Sequence, residues 1–210
     1  TDKRIFPMAG FRNFLKSGHA PTLGASFFYF MFSCAIWVIN GTMAPFISES
    51  FQLSPAQKGL MLSVPIFAGA LMRFPLGVLA QYIGRKNATL VEMGGICLAM
   101  LYGYFMVESF NDLLAMSVLL GIAGASFGVA LSLGSGSFPP RYKGLAMGLV
   151  GAGNVGTAVS ALLAPPLAQA FGWQAVYGFA AIGILIPMVV MIVFAKEPDD
   201  IDTHASFKDH

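Results

Sequence analysis

The chain has 210 residues, of which 56% are hydrophobic and only 10% charged, with a mean hydropathy of +0.72. An ordinary soluble domain carries about 25% charged residues, so this is the composition of a membrane protein. A net charge of +2 without a dense basic stripe excludes a nucleic-acid-binding role; Cys34 and Cys97 sit in apolar runs with no CxxC or His/Cys cluster, implying neither a disulfide nor a metal site.

In chain order, residues 1–22 read as a cytoplasmic tail at a membrane surface, with Lys3, Arg4, Arg12 and Lys16 set among Phe6, Phe11 and Phe14 and room for an amphipathic turn. Apolar runs then fall at about 23–47, 58–83, 87–107, 113–138, 144–170 and 173–195, each at or above the roughly 20 residues a spanning helix needs. Strands are excluded because the runs are continuously apolar instead of alternating, and in lipid only helices or closed barrels satisfy the backbone. The expected fold is therefore an all-α membrane protein with a six-helix bundle over 23–195, embedded in a lipid bilayer. Residues 196–210, KEPDDIDTHASFKDH, read as a polar, acidic linker on the cytoplasmic side. Basic residues gather on one side: the N-terminal tail, Arg85 and Lys86, Arg141 and Lys143, and Lys196 and Lys208. Lys58 stands alone on the other. By the positive-inside rule both termini are cytoplasmic.

Glycine and proline are unusual for plain anchors. Gly124/Gly128 and Gly144/Gly148 have the small-xxx-small spacing that lets helix backbones approach. Packing accounts less readily for the cluster Gly148, Gly151, Gly153, Asn154 and Gly156, which strips side chains from more than one helix face. Pro45, Pro65, Pro75, Pro165 and Pro166 predict kinks in their helices.

One charge is out of place. Arg73 lies twelve residues in from Arg85, about 18 Å at 1.5 Å per residue, near the middle of a roughly 30 Å core. A charge there costs roughly 2.5–3.5 kcal/mol and marks a functional site by default. Two readings are open. Arg73 pairs with Glu92, the one acid well within a span, at an axial offset of about 9 Å; or it faces a polar cavity and binds an anion through its planar fork of donors. Asn154 has a similar choice between an interhelical hydrogen bond and a ligand-facing amide, with Gly151 and Gly156 beside it. Asn40 and Thr42, with Gly41 and Pro45, mark either a discontinuity lining that cavity or a simple polar contact. Phe27, Phe28, Tyr29, Phe30 and Phe32 read as lipid or core contacts. His19, His204 and His210 all lie in the tails, so the spans hold no catalytic constellation; neither an enzyme nor a cofactor is expected.

Three stretches carry a resemblance. GALMRFPLGVLAQYIGRK, GLVGAGNVG and, more loosely, FFYFMFSCAIWVINGTMAPFI are similar to the second, fifth and first helices of nitrate/nitrite porters, a branch of the major facilitator superfamily. The resemblance implies that Arg73 binds the substrate anion and that Gly151, Asn154 and Gly156 flank it. It implies a secondary transporter of nitrate and/or nitrite, working by alternating access in the inner (plasma) membrane. It also implies a second six-helix half, C-terminal to this one, that supplies another arginine and aromatic residues. Gln81 stands where the superfamily's loop motif usually has an acid, and the first span lacks the acid some members carry. A facilitator for another small anion such as a carboxylate, or a non-transporting six-helix membrane module, are the competing readings.

Overall fold

The computed structural model describes residues 8–199; the expectations for Lys3, Arg4 and Phe6, and for the linker from Asp200 with His204, Lys208 and His210, lie outside the described residues. Among the described residues, six helices are long and apolar enough to cross a membrane: Ala20–Phe51, Pro55–Ile83, Arg85–Phe105, Phe110–Gly136, Pro140–Phe171 and Trp173–Phe194, numbered here as the first to sixth spans. The six-helix expectation holds, with ends displaced by a few residues where polar caps, invisible to hydropathy, extend the helices.

These caps are local chemistry. Ser54 and Gln57 form a reciprocal capping box behind Pro55, and Ser109 and Asp112 form another at the start of the fourth span. The turns into the third and sixth spans pass through Gly84 and Gly172, both at φ +88°, a region a side chain would disfavour. His19 caps the first span by accepting from the Thr22 amide. Ahead of it, a short helix over Met8–Lys16 docks Phe14 on the Phe138 ring at 4.8 Å and the Tyr142 ring at 5.6 Å, tying the tail to the link between the fourth and fifth spans.

The first and fourth spans form the interior, with 56% and 61% of their most apolar windows buried, against 17% in the second and 28% in the fifth. Tyr29, Met43, Ile47, Met93, Met100 and Leu120 fill the core between them. The second and fifth spans instead leave broad faces open, carrying Phe67, Phe74, Leu162 and Leu163, as expected where lipid or another protein surface replaces water.

Regular helix divides into two segments at Val38 in the first span, at Ala125 in the fourth, through a 3-10 turn over Ala152–Val155 in the fifth, and at Ile184 in the sixth. Pro45, Pro65, Pro75, Pro165 and Pro166 all lie inside unbroken helix segments. Their fixed φ is compatible with a helix, and the loss of one N–H donor does not break the run. The sixth-span break does fall beside a proline, Pro187, which has no N–H to offer Gly183.

Candidate functional site

The break at Ala125 explains how Arg73 is held. A helix leaves its last carbonyls without intrahelical partners; the helix before the break ends at Gly124, and the Gly124 carbonyl accepts a hydrogen bond from Arg73 Nε at 3.2 Å. Two rings flank the guanidinium, with its central carbon 5.9 Å from the centroids of both Trp37 and Phe127, within the range of cation–π attraction. Trp37 ends the helix before the Val38 break and is itself anchored, Nε1 donating to the Pro65 carbonyl at 3.0 Å. Nε makes the one hydrogen bond of Arg73 among the described residues, so the outer fork of the guanidinium is uncommitted.

Arg73 lines a pocket of about 350 Å³ whose other walls include Phe30, Cys34, Trp37, Phe127, Gly151 and Asn154. Asn154 sits in the 3-10 turn of the fifth span, exposed, and its side-chain amide bonds to no described residue. The interhelical bond considered for it is not formed. Gly151 is at the pocket wall, where an added Cβ would meet little, Leu131 Cδ2 at 3.9 Å being its nearest neighbour. The breaks of the first, fourth and fifth spans thus converge on one level of the bundle, where Arg73 is. On the other side of Phe127, Arg73 also borders a second pocket of about 370 Å³ that runs past Gly77, Gln81 and Gly128 to Arg85 and Ser132.

Gly156 is placed differently. Its Cα packs against the first-span backbone, so that a Cβ would collide with the Met31 carbonyl and come within 3.1 Å of the Ala35 nitrogen; it borders neither pocket. Asn40 is buried away from Arg73, donating to Ser117 Oγ at 3.0 Å and accepting from the Tyr177 hydroxyl at 2.6 Å, while Thr42 Oγ1 donates to the Ile39 carbonyl. The simple polar contact describes both. Glu92 accepts from the Tyr29 hydroxyl, not from Arg73. Of the small-xxx-small glycines, Gly124 is a packing contact, whereas Gly128, Gly144 and Gly148 face open space.

Phe127, Phe30 and the Gly124 carbonyl are the parts that sequence reasoning missed. The flanking glycines of Phe127, at positions 124 and 128, were the available signal, since they leave one aromatic ring standing in a bared stretch of helix.

The Major Facilitator Superfamily profile matches residues 25–209. The chain is 34% identical over 168 residues to a protein of Staphylococcus carnosus (strain TM300) named probable nitrate transporter NarT, covering 78% of this chain and 42% of that protein. It is 32% identical over 161 residues to the protein of the same name in Staphylococcus aureus (strain JH9), covering 75% of this chain and 40% of that one. The chain therefore spans about two fifths of the length of these curated relatives. Profile and membrane-spanning helices agree: the chain is a multi-pass membrane protein that belongs to the Major Facilitator Superfamily of transporters.

Proposed function

We propose that this chain forms the N-terminal half of a secondary transporter for a small inorganic anion, nitrate and/or nitrite, in the inner (plasma) membrane, with both termini cytoplasmic. The observation that carries the reading is the state of Arg73, fixed by Gly124 at Nε and by Trp37 and Phe127 at its faces, with its outer donors left to a pocket of about 350 Å³. A bidentate guanidinium suits a planar oxyanion such as nitrate, and the rings of Trp37 and Phe127 hold it by cation–π attraction. Asn154 supplies a neutral amide donor, and Gly151 lets the ion approach the fifth-span backbone. The names of the relatives support nitrate in particular.

The open faces of the second and fifth spans are where the second half would pack, closing the pocket with further donors and rings. Rocking of the two halves then exposes the anion to one side and the other in turn. The pocket between Arg73 and Arg85 is the path on the cytoplasmic side, and Phe127, which borders both pockets, is the constriction between them.

The test is nitrate and nitrite uptake into vesicles containing the complete protein, wild type against Arg73→Lys. Lysine keeps the charge and loses the fork, and one charge-assisted hydrogen bond is worth about 1.5–3 kcal/mol, so uptake should fall about 10- to 100-fold. Undiminished movement in the variant overturns the assignment. Stronger competition by formate or oxalate than by nitrite reassigns the substrate to a carboxylate.

A further inference from the structure

The short helix Met8–Lys16 and the link between the fourth and fifth spans form one edge of the bundle. Phe14 is buried against the Phe138 and Tyr142 rings. The Ser17 hydroxyl donates to the Phe14 carbonyl, and the His19 amide donates to Ser137 Oγ. Gly18 closes the contact, since a Cβ there would fall 2.7 Å from the Phe138 ring. The fourth span ends at Gly136 and the fifth starts at Pro140, so this edge lies at the level where apolar spans give way to lipid headgroups.

Cations gather on it. Helical spacing puts Arg12 and Lys16 on one face, beside the face that carries Phe11, Phe14 and Leu15. Arg12, Lys16, Arg141 and Lys143 are all exposed. Arg141 lies over the Tyr142 ring at 4.3 Å and donates to its hydroxyl; the other three have no hydrogen bond or ion pair to a described residue. Tyr142 stands between Arg141 and Lys143 and packs on Phe14, which is two residues from both Arg12 and Lys16, so the four charges share one patch. Residues 8–18 and 137–143 contain no carboxylate, and Glu197 commits both its oxygens to the Arg85 and Lys86 amides. Phe11, next to Arg12, keeps 46% of its surface exposed. A half-exposed ring beside uncompensated cations is the arrangement of a helix in a bilayer interface, ring toward the acyl chains and cations among the phosphates.

We propose that this edge binds anionic phospholipid headgroups of the leaflet it meets, with Arg12, Lys16, Arg141 and Lys143 as the phosphate-binding groups and Phe11 as the apolar anchor. Clusters of four or more Lys/Arg beside a span attract acidic lipid, each cation adding about fivefold to the affinity. Lipid is the occupant because it satisfies both halves of the patch, whereas a soluble phosphate ester would leave the Phe11 ring in water. The assignment holds whatever anion the bundle carries. It also reaches the pocket, because the link joins the fourth span, with Gly124 and Phe127, to the fifth, with Gly151 and Asn154. Lipid bound across the link stabilises the helix pair that forms those walls.

The experiment titrates the purified complete protein in neutral detergent with phosphatidylglycerol or phosphatidylcholine, reading lipid retention by native mass spectrometry beside the thermal midpoint. Wild type should retain phosphatidylglycerol in preference, gain thermal stability from it, and lose the preference at high salt. Arg12→Gln with Lys16→Gln, and Arg141→Gln with Lys143→Gln, should each lower phosphatidylglycerol affinity about 25-fold and leave phosphatidylcholine unchanged. Phe11→Ser should weaken both lipids alike. Arg12→Lys with Arg141→Lys, which keeps the charge, should retain most of the affinity, and so should Lys58→Gln at the opposite end of the bundle. Equal phosphatidylglycerol affinity in wild type and the two Gln pairs overturns the proposal. So does a loss as large in the Arg→Lys pair as in the Gln pairs, or a fall in lipid-free stability of the Gln pairs that accounts for the whole effect, since either identifies structural residues. Glycerol 3-phosphate competing as well as phosphatidylglycerol overturns the lipid assignment in favour of a soluble phosphate ester.

Discussion

Arg73 of the second span and Gly124 of the fourth are joined by a 3.2 Å hydrogen bond from Nε to the main-chain oxygen, and the same glycine lets Trp37 lie across the guanidinium. A Cβ built on Gly124 would stand 2.5 Å from Trp37 Nε1 and 2.6 Å from Cε2. Gly124→Ala must therefore displace the indole, part of its bond to Pro65, or the fourth span itself. Overpacking of this kind costs about 1–3 kcal/mol. The expected result is a weaker anion site, by about tenfold, together with a shifted emission from Trp37, one of only two tryptophans in the chain. Measuring both in one preparation checks it: unchanged fluorescence and affinity would show that Trp37 does not position Arg73.

Asn154 offers an amide with no described partner at the edge of the pocket that holds the Arg73 fork. Asn154→Ala removes the neutral hydrogen bond proposed for the anion, worth about 0.5–1.5 kcal/mol, so affinity for nitrate should fall up to about tenfold with folding intact. Asn154→Asp should do more, because a carboxylate there competes with the anion for Arg73 and repels it. Binding isotherms of the two variants decide the matter, and equal affinities would remove Asn154 from the site.

The parts of this fold visible in the sequence are those the bilayer enforces. Spans of about 20 apolar residues are required by thickness, and a mid-span charge is costly enough to be conspicuous, so both the helices and Arg73 are legible. Gly151 and Asn154 were legible through their composition and the resemblance it carries. The acceptor for Arg73 was not, because a main-chain carbonyl has no residue type of its own and the break that frees it, at Ala125, has no proline to announce it. Phe30 looks like any other aromatic in its apolar run, and Phe127 was marked only by the bare glycines around it. Gly156 was grouped with the ligand-facing glycines because one line of sequence does not tell which face of the fifth span meets the first.

Gly156 and Gly151 should separate in experiment. Gly156→Ala drives a methyl into the Met31 carbonyl and the adjoining first-span backbone, which cannot rotate away as a side chain would. The expected outcome is a drop in thermal stability of about 1–3 kcal/mol or failure to accumulate in the membrane. Gly151→Ala has room for its methyl, with Leu131 Cδ2 at 3.9 Å, so its effect should appear in anion affinity at nearly unchanged stability. Unfolding curves in detergent beside binding data test the contrast, which is lost if the two variants behave alike.

The ends of the first, fourth and sixth spans meet at His19, and this contact should be sensitive to acid. The His19 amide donates to Ser137 Oγ at the end of the fourth span; its Nδ1 lies 2.6 Å from Thr22 Oγ1, which also receives the Lys196 amide at 2.8 Å from the end of the sixth. Burial, and then the nearby Lys196 ammonium, hold the imidazole below its ordinary 6.5. A base whose folded-state pKa is depressed favours folding above the unfolded pKa. Below about pH 6.5 the unfolded chain takes up the proton first, so stability falls as pH drops through the folded value. His19→Ser keeps a side-chain acceptor at the start of the first span while removing the titration. Thermal unfolding of the two proteins between about pH 7 and pH 5 should show a decline in wild type that is flatter in His19→Ser. Parallel curves would place the acid sensitivity elsewhere in the chain.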